Sequence, residues 1–248
     1  MRLWFLVAPV LALAACSGGG DATSGTSNAA TSSATPVAAV SAPAGKKWQD
    51  VVSKTDLGYR MGNPDAPVKL VEYGSRMCPT CRQFEQDGFE PLINNYVDSG
   101  KVSLEFRDFL VHGALDLPTT ILGQCVPVDA YFPILEQMFV AQPEFADKFS
   151  ALSEADKNRM QTMEPTAIAL MLAQKMDVID FMQKRGMSAD KAKSCLTNKA
   201  TIDTLSKQME QAGKRGVSGT PTFFINGDKV DDAVTWSQLE PKLKAAGA

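Results

Sequence analysis

With 248 residues, the chain has room for one large domain or two small ones. Its 44% hydrophobic content supports a packed core, and a formal net charge of −3 gives no broad basic surface for nucleic acid. Five cysteines are too few for a disulfide-built miniprotein, and they fall into separate groups: Cys16, the close pair Cys78 and Cys81, then Cys125 and Cys195.

At the N-terminus, Arg2 precedes an apolar run from Leu3 to Leu13 that is too short to span a bilayer comfortably, which reads as a secretory signal. The run ends in Leu13-Ala14-Ala15-Cys16. This tetrapeptide resembles the bacterial lipobox, and the resemblance implies that residues 1–15 are a signal peptide cleaved before Cys16, whose sulfur receives diacylglycerol. Ordinary cleavage after Ala14, leaving Cys16 as a spare thiol, is the alternative. Residues 16–45 are rich in Ser, Thr, Ala and Gly without apolar periodicity, so they read as a disordered tether.

Residues 46–63 suggest a short helix followed by a weak edge strand at Tyr59-Arg60-Met61, and Asn63-Pro64-Asp65-Ala66-Pro67 is a turn cluster. From Val68 to Tyr73 the apolar residues crowd together as in a buried strand. Glu72 is the oddity there: on a buried strand it needs a partner or a proton, unless the alternation points it outward. Next comes Met77-Cys78-Pro79-Thr80-Cys81-Arg82. Pro79 suits the first position of a helix, which places Cys78 beside unpaired backbone N–H groups and the positive end of the dipole. Both favour the thiolate, which is the nucleophile. Cys78 is therefore expected to be the acidic, accessible sulfur, with Cys81 one turn on along the same face. Half of a zinc site is the competing reading, but zinc usually takes four ligands, and the chain offers no second close pair and a single histidine, His112.

Phe84, Phe89, Leu92, Ile93 and Tyr96 continue the helical face, with Gly88 and Pro91 expected to kink or break it. Residues 101–107 alternate as a strand, with Val102, Leu104 and Phe106 on one side. His112 is assigned no role. Residues 114–198 then lose all strand signals and read as a helical insertion, with Pro127, Pro133, Pro143 and Pro165 as breaks, and Pro143-Glu144 and Ser153-Glu154 as helix starts. Its scattered methionines read as core filling. Cys125 and Cys195 bracket the insertion. In an exported chain they are each other's remaining partners, and a bridge between them would contribute about 4 kcal/mol by loop closure; two buried thiols are the alternative.

A helix returns at 199–213, with Ile202, Leu205, Met209 and Ala212 on one face. Gly219-Thr220-Pro221-Thr222-Phe223-Phe224 enters a strand through a proline, which suits only a strand start. Asn226-Gly227 is a hairpin turn into Asp228-Lys229-Val230. Trp236, Leu239, Leu243 and Ala246 mark a last amphipathic helix.

This order of elements, with Cys78-Pro79-Thr80-Cys81 and Gly219-Thr220-Pro221-Thr222-Phe223-Phe224 as its two separated motifs, resembles the DsbA-type thiol:disulfide oxidoreductases. The resemblance implies an α/β, thioredoxin-like fold with a helical insertion over residues 46–248. It implies that Pro221 is cis and packs against the pair, that the Thr220 backbone binds substrate, and that Glu72 relays a proton for Cys81. It also implies that Cys125–Cys195 is a second disulfide. The chain carries no flavin or haem motif, so no cofactor is expected. One departure is Pro79-Thr80 between the cysteines, where the strongest oxidases carry Pro-His; this points to a milder pair, between about −230 and −120 mV. The expected activity is oxidation of thiols in unfolded or reduced exported proteins, in the periplasm on a lipid tether, with a membrane redox partner (a quinone-linked reoxidant or an electron donor). A reductase or isomerase, and a copper-delivery protein on the same frame, are the alternatives.

Overall fold

The computed structural model describes residues 35–248; Cys16 and the leader lie outside the described residues. The strands β1 (Val52–Lys54), β2 (Tyr59–Gly62), β3 (Val68–Gly74), β4 (Val102–Asp108), β5 (Thr222–Ile225) and β6 (Asp228–Lys229) form one six-stranded sheet in the order β1-β2-β4-β3-β5-β6. β3 and β4 are parallel, with Val68 opposite Val102 and Gly74 opposite Asp108, and the remaining pairings are antiparallel. A parallel pair requires a crossover. Residues 79–97 supply it as α1 (Pro79–Phe84), a wide π-type turn at Glu85–Phe89, α2 (Glu90–Leu92) and a second wide turn at Ile93–Val97. The break expected at Gly88 and Pro91 is thus absorbed as local widening. A Cβ on Gly88 would sit 2.9 Å from the Cβ of Trp236, so the glycine admits α10 (Trp236–Ala245).

Side chains alternate across the sheet with period two. Val68, Leu70, Leu104, Phe106 and Phe223 face the crossover helices and pack with Phe84 and Leu92. Glu72 shares that parity and is 3% exposed, which decides its orientation inward. Tyr73 and Phe224 face the other way and pack with Phe109, Val217 and Ala212 of α9 (Lys199–Lys214).

Residues 113–196 are helical: a 3-10 turn at Gly113–Asp116, then α3 (Leu117–Gln124), α4 (Tyr131–Ser150), α5 (Glu154–Met160), α6 (Pro165–Lys175), α7 (Val178–Gln183) and α8 (Ala189–Leu196). They bury a second core in which Met138, Met171, Met176 and Met182 interleave with Ile121, Leu122, Phe145 and Leu172. α4 serves both cores: Tyr131, Phe132, Leu135 and Phe139 pack toward the sheet, while Ile134, Met138 and Phe145 pack into the insertion. Cys125, just after α3, is disulfide-bonded to Cys195 of α8 across a Cα–Cα distance of 6.4 Å and a sequence separation of 70.

Several expectations are corrected. Tyr59–Met61 is not an edge strand; β2 lies between β1 and β4, and the edge is β1, whose three residues are too short for alternation to show. The short helix near residue 46 is a single 3-10 turn, Trp48–Asp50. Pro143 neither breaks nor starts a helix but lies inside α4. It forfeits one backbone bond, while buried Phe139, Gln142 and Phe145 anchor the helix on both sides of it. Ser153, by contrast, does cap α5, accepting from the Asp156 N–H. The stretch read as tether through residue 45 lies against the fold in part: the N–H of Val37 donates to the Gly247 carbonyl at 2.8 Å, that of Val40 to Ser99 at 2.9 Å, and Trp48 Nε1 to the Val40 carbonyl at 2.7 Å. The return strand stops at Lys229, after a turn in which Asn226 and Gly227 both have positive φ. Among the described residues no helix is long and apolar enough to cross a membrane.

Candidate active site

The site forms where β3 ends. Gly74 leaves the sheet, and residues 75–78 turn over its carboxyl edge into α1. Three bonds hold this turn: Cys78 N–H to the Ser75 carbonyl at 3.0 Å, Met77 N–H to Ser75 Oγ at 3.0 Å, and Ser75 Oγ–H to Asp116 Oδ1 at 2.6 Å. Cys78 is the extended residue before the helix, with Pro79 in its first turn. Antiparallel pairing sets Thr222 opposite Tyr73, which brings Thr220 and Pro221 to the same edge. The Thr220–Pro221 peptide is cis. Pro221 is buried, and Cys78 Sγ lies 3.3 Å from the Thr220 carbonyl, to which the protonated thiol donates.

Both cysteines are free thiols. Cys78 is less open than the sequence led us to expect: it is 5% exposed, because the Thr220–Pro221 segment lies over it, and Cys81 is 0% exposed. What opening remains belongs to Cys78. The two sulfurs also differ in acidity. Hydrogen bonding from the Cys81 thiol is the main cause that brings the Cys78 thiol down to about 5, against partial burial; Thr220 and the backbone N–H groups of Cys81 and Thr80 add to it. The Thr220 hydroxyl is buried and makes no other hydrogen bond, so it is free to donate to the thiolate. Burial drives the Cys81 thiol well above its ordinary value, reinforced by its bond to Cys78 and by the Glu72 charge. Burial likewise raises the Glu72 carboxyl to about 8, with the Cys78 charge as a second cause. Glu72, Cys78 and Cys81 therefore lie close enough for the charge on one to shift another.

Two supports of the site, and one buried carboxyl beside it, carry no sequence signal. Arg76, fully buried, is ion-paired with Asp108 at the end of β4, and Asp108 also accepts from Gln124 Nε2 at 2.8 Å and the Tyr131 hydroxyl at 3.1 Å. The guanidinium lies 5.2 Å from the Tyr131 ring centroid and against Gly123, where a Cβ would come within 2.6 Å of it. Gln142, buried on α4, donates from Nε2 to the carbonyls of Arg76 at 2.8 Å and Cys78 at 2.9 Å. Glu85, one turn beyond Cys81, has a buried Oε1 without a partner among the described residues, and burial raises its carboxyl well above the usual range, helped by the charges of Glu72 and Glu136. Arg76, Asp108 and Gln142 act through tertiary proximity, which motif spacing does not encode, whereas Glu85 follows Cys81 on the same helical segment. Of the remaining singled-out residues, His112 is tied to Asp116, its backbone N–H donating to Oδ2 at 2.6 Å. Cys125 and Cys195 are bonded to each other outside the site.

Comparison with known proteins agrees with this geometry. A family model described as Thioredoxin matches residues 54–245. The chain is similar to disulfide bond formation protein D of Bacillus subtilis, with 30% identity over 187 residues that make up 74% of each sequence. Among solved structures, it is similar to a protein-disulfide isomerase from Novosphingobium aromaticivorans, with 29% identity and a TM-score of 0.72 over 75% of this chain and 95% of that one. Oxidised BdbD of Bacillus subtilis shares the fold at 19% identity and a TM-score of 0.57, covering 82% of this chain and 100% of the other.

Proposed function

The chain belongs to the thioredoxin family and is a DsbA-type thiol:disulfide oxidoreductase; from that premise we propose that it oxidises thiols of exported proteins through Cys78 and Cys81. The observation that carries this reading is the inequality of the two sulfurs: one is held as a thiolate at the helix start, and the other is sealed as a thiol beneath it.

In the oxidised enzyme, a substrate thiolate attacks Cys78 Sγ, the sulfur with the remaining opening. The Cys78–Cys81 bond breaks and its electron pair goes to Cys81. Cys81, which strongly disfavours charge, takes a proton, and in this reading Glu72, largely protonated at neutral pH, supplies it. A second substrate thiolate then attacks the substrate sulfur of the mixed disulfide. Cys78 leaves as a stabilised thiolate, which favours release. Two electrons have moved from the substrate to the pair, leaving Cys78 ionised and Cys81 protonated. In the oxidised enzyme Cys78 Sγ bears no hydrogen, so the Thr220 carbonyl is open to an N–H of the substrate backbone. A membrane redox partner, quinone-linked in this reading, takes the electrons from the pair. The Leu13-Ala14-Ala15-Cys16 tetrapeptide supports periplasmic placement on a lipid tether.

The test is stoichiometric: oxidised protein mixed with reduced, unfolded ribonuclease should become reduced as the ribonuclease gains disulfides. A potential near about −270 mV with no ribonuclease oxidation would instead mark a reductase. The name of the Novosphingobium neighbour favours isomerisation as a second reading. In that case the reduced protein would reactivate scrambled ribonuclease, and thiol trapping in cells would find the pair mostly reduced.

A further inference from the structure

We propose that Gln142 is a positioning residue for Cys78, pinning the redox turn to the helical insertion and thereby setting how strongly the Cys78 thiolate is held. The inference rests on Cys78–Cys81 being the redox pair. Gln142 belongs to α4, the helix packed into both hydrophobic cores, so its side chain projects from an element with little freedom to move. It is buried, and its carboxamide meets two backbone carbonyls, those of Arg76 at 2.8 Å and Cys78 at 2.9 Å. Two acceptors facing one amide admit only the NH2 end, and both of its hydrogens are used. The Cys78 carbonyl also accepts the Arg82 N–H at 3.1 Å. It is therefore held from two sides, by its own helix and by the insertion.

That double hold fixes the peptide joining Cys78 to Pro79 and, with it, the direction in which the first N–H groups of α1 point. Those of Thr80 and Cys81 serve the Cys78 sulfur. With the Gln142 amide removed, two buried carbonyls lose a donor and the Cys78 carbonyl keeps only the Arg82 N–H, so the peptide is held from one side and can tilt, carrying the N–H groups away from Sγ. The thiolate, and with it the reduced state, loses support, while the disulfide form, which carries no charge there, loses less. Gln142 thus makes the insertion part of the redox centre, although it touches neither sulfur.

Gln142→Met keeps the length and bulk of the side chain and deletes both donors. The expected result is a Cys78 thiolate that titrates at higher pH and an equilibrium with glutathione shifted about tenfold toward the oxidised protein, the scale of losing a hydrogen-bond pair to buried carbonyls. A purely structural role predicts something else: denaturant midpoints of the oxidised and reduced forms fall equally, while the thiolate titration and the glutathione equilibrium stay at their wild-type values. That outcome overturns the proposal. Should Gln142→Met fail to fold, Gln142→Leu also deletes both donors without adding a charge beside Cys78, and carries the same two expectations. If wild-type Cys78 itself titrates as an ordinary thiol, the redox-pair reading falls; if wild type is acidic and the variant matches it, only the role of Gln142 falls.

Discussion

Residues 78 and 81 are chemically identical and separated by one helical turn, yet their surroundings push them in opposite directions. Cys78 meets donors, whereas Cys81 meets apolar burial and a nearby carboxyl. Each shift has a definite sign in stability. The Cys78 thiol falls from 9.0 to about 5 on folding, so in the reduced protein its contribution is full above pH 9.0 and is lost as pH falls through about 5. Glu72 runs the other way: raised from 4.5 to about 8, its contribution is full below pH 4.5 and is lost as pH rises through about 8. Glu72→Gln should therefore be more stable than wild type at pH 7 in denaturant titrations and flatter in stability across that window. Its reaction with substrate thiols should be slower, because the proposed mechanism draws the proton of Cys81 from Glu72. Equal stability at pH 7 and an unchanged rate would contradict this assignment. The cysteine pair was readable because its chemistry is local: two sulfurs, a proline and a helix start lie within a few residues. The orientation of Glu72 was not, since alternation sets parity and only the packed sheet says which parity faces the helices.

At the scale of elements, the site hangs on the edge where β3, β4 and β5 end together. Arg76 and Asp108 tie the turn after β3 to the end of β4 through a fully buried ion pair. Removing one partner strands the other charge, so Arg76→Met should lower unfolding free energy by about 3–5 kcal/mol. A loss within experimental scatter of zero would show that the pair is dispensable. The insertion has its own fastening. Reducing Cys125–Cys195, or replacing both residues with serine, releases a loop of 70 residues and should cost about 4 kcal/mol by loop closure while leaving the Cys78–Cys81 pair able to cycle. An unchanged denaturation midpoint would argue against a stabilising role. The longer elements were legible from periodicity, as with β3, β4 and α9. β1 escaped because three residues carry no period, and Pro143 misled because burial around α4 outweighs one missing hydrogen bond. The partnership of Arg76 with Asp108, separated by 32 residues, had no counterpart in spacing.

For the whole molecule, two cores meet along α4, and the redox turn sits where both are anchored. The motifs in the sequence located the chemistry; the way the insertion grips it through Gln142 and Arg76 emerged only in three dimensions. The proposed placement on a membrane rests on Cys16 and is separable from the chemistry. Cys16→Ser should move the protein from the detergent phase to the soluble fraction without altering its reaction with thiols, and continued sedimentation with membranes would exclude the lipid anchor. Everything else depends on the state of one sulfur. The most direct test is the thiolate absorbance of the reduced protein followed across pH, with Cys78→Ala as control. The account predicts one transition at about 5 that disappears in the control. A single transition in the ordinary thiol range, near about 8.5, would contradict it.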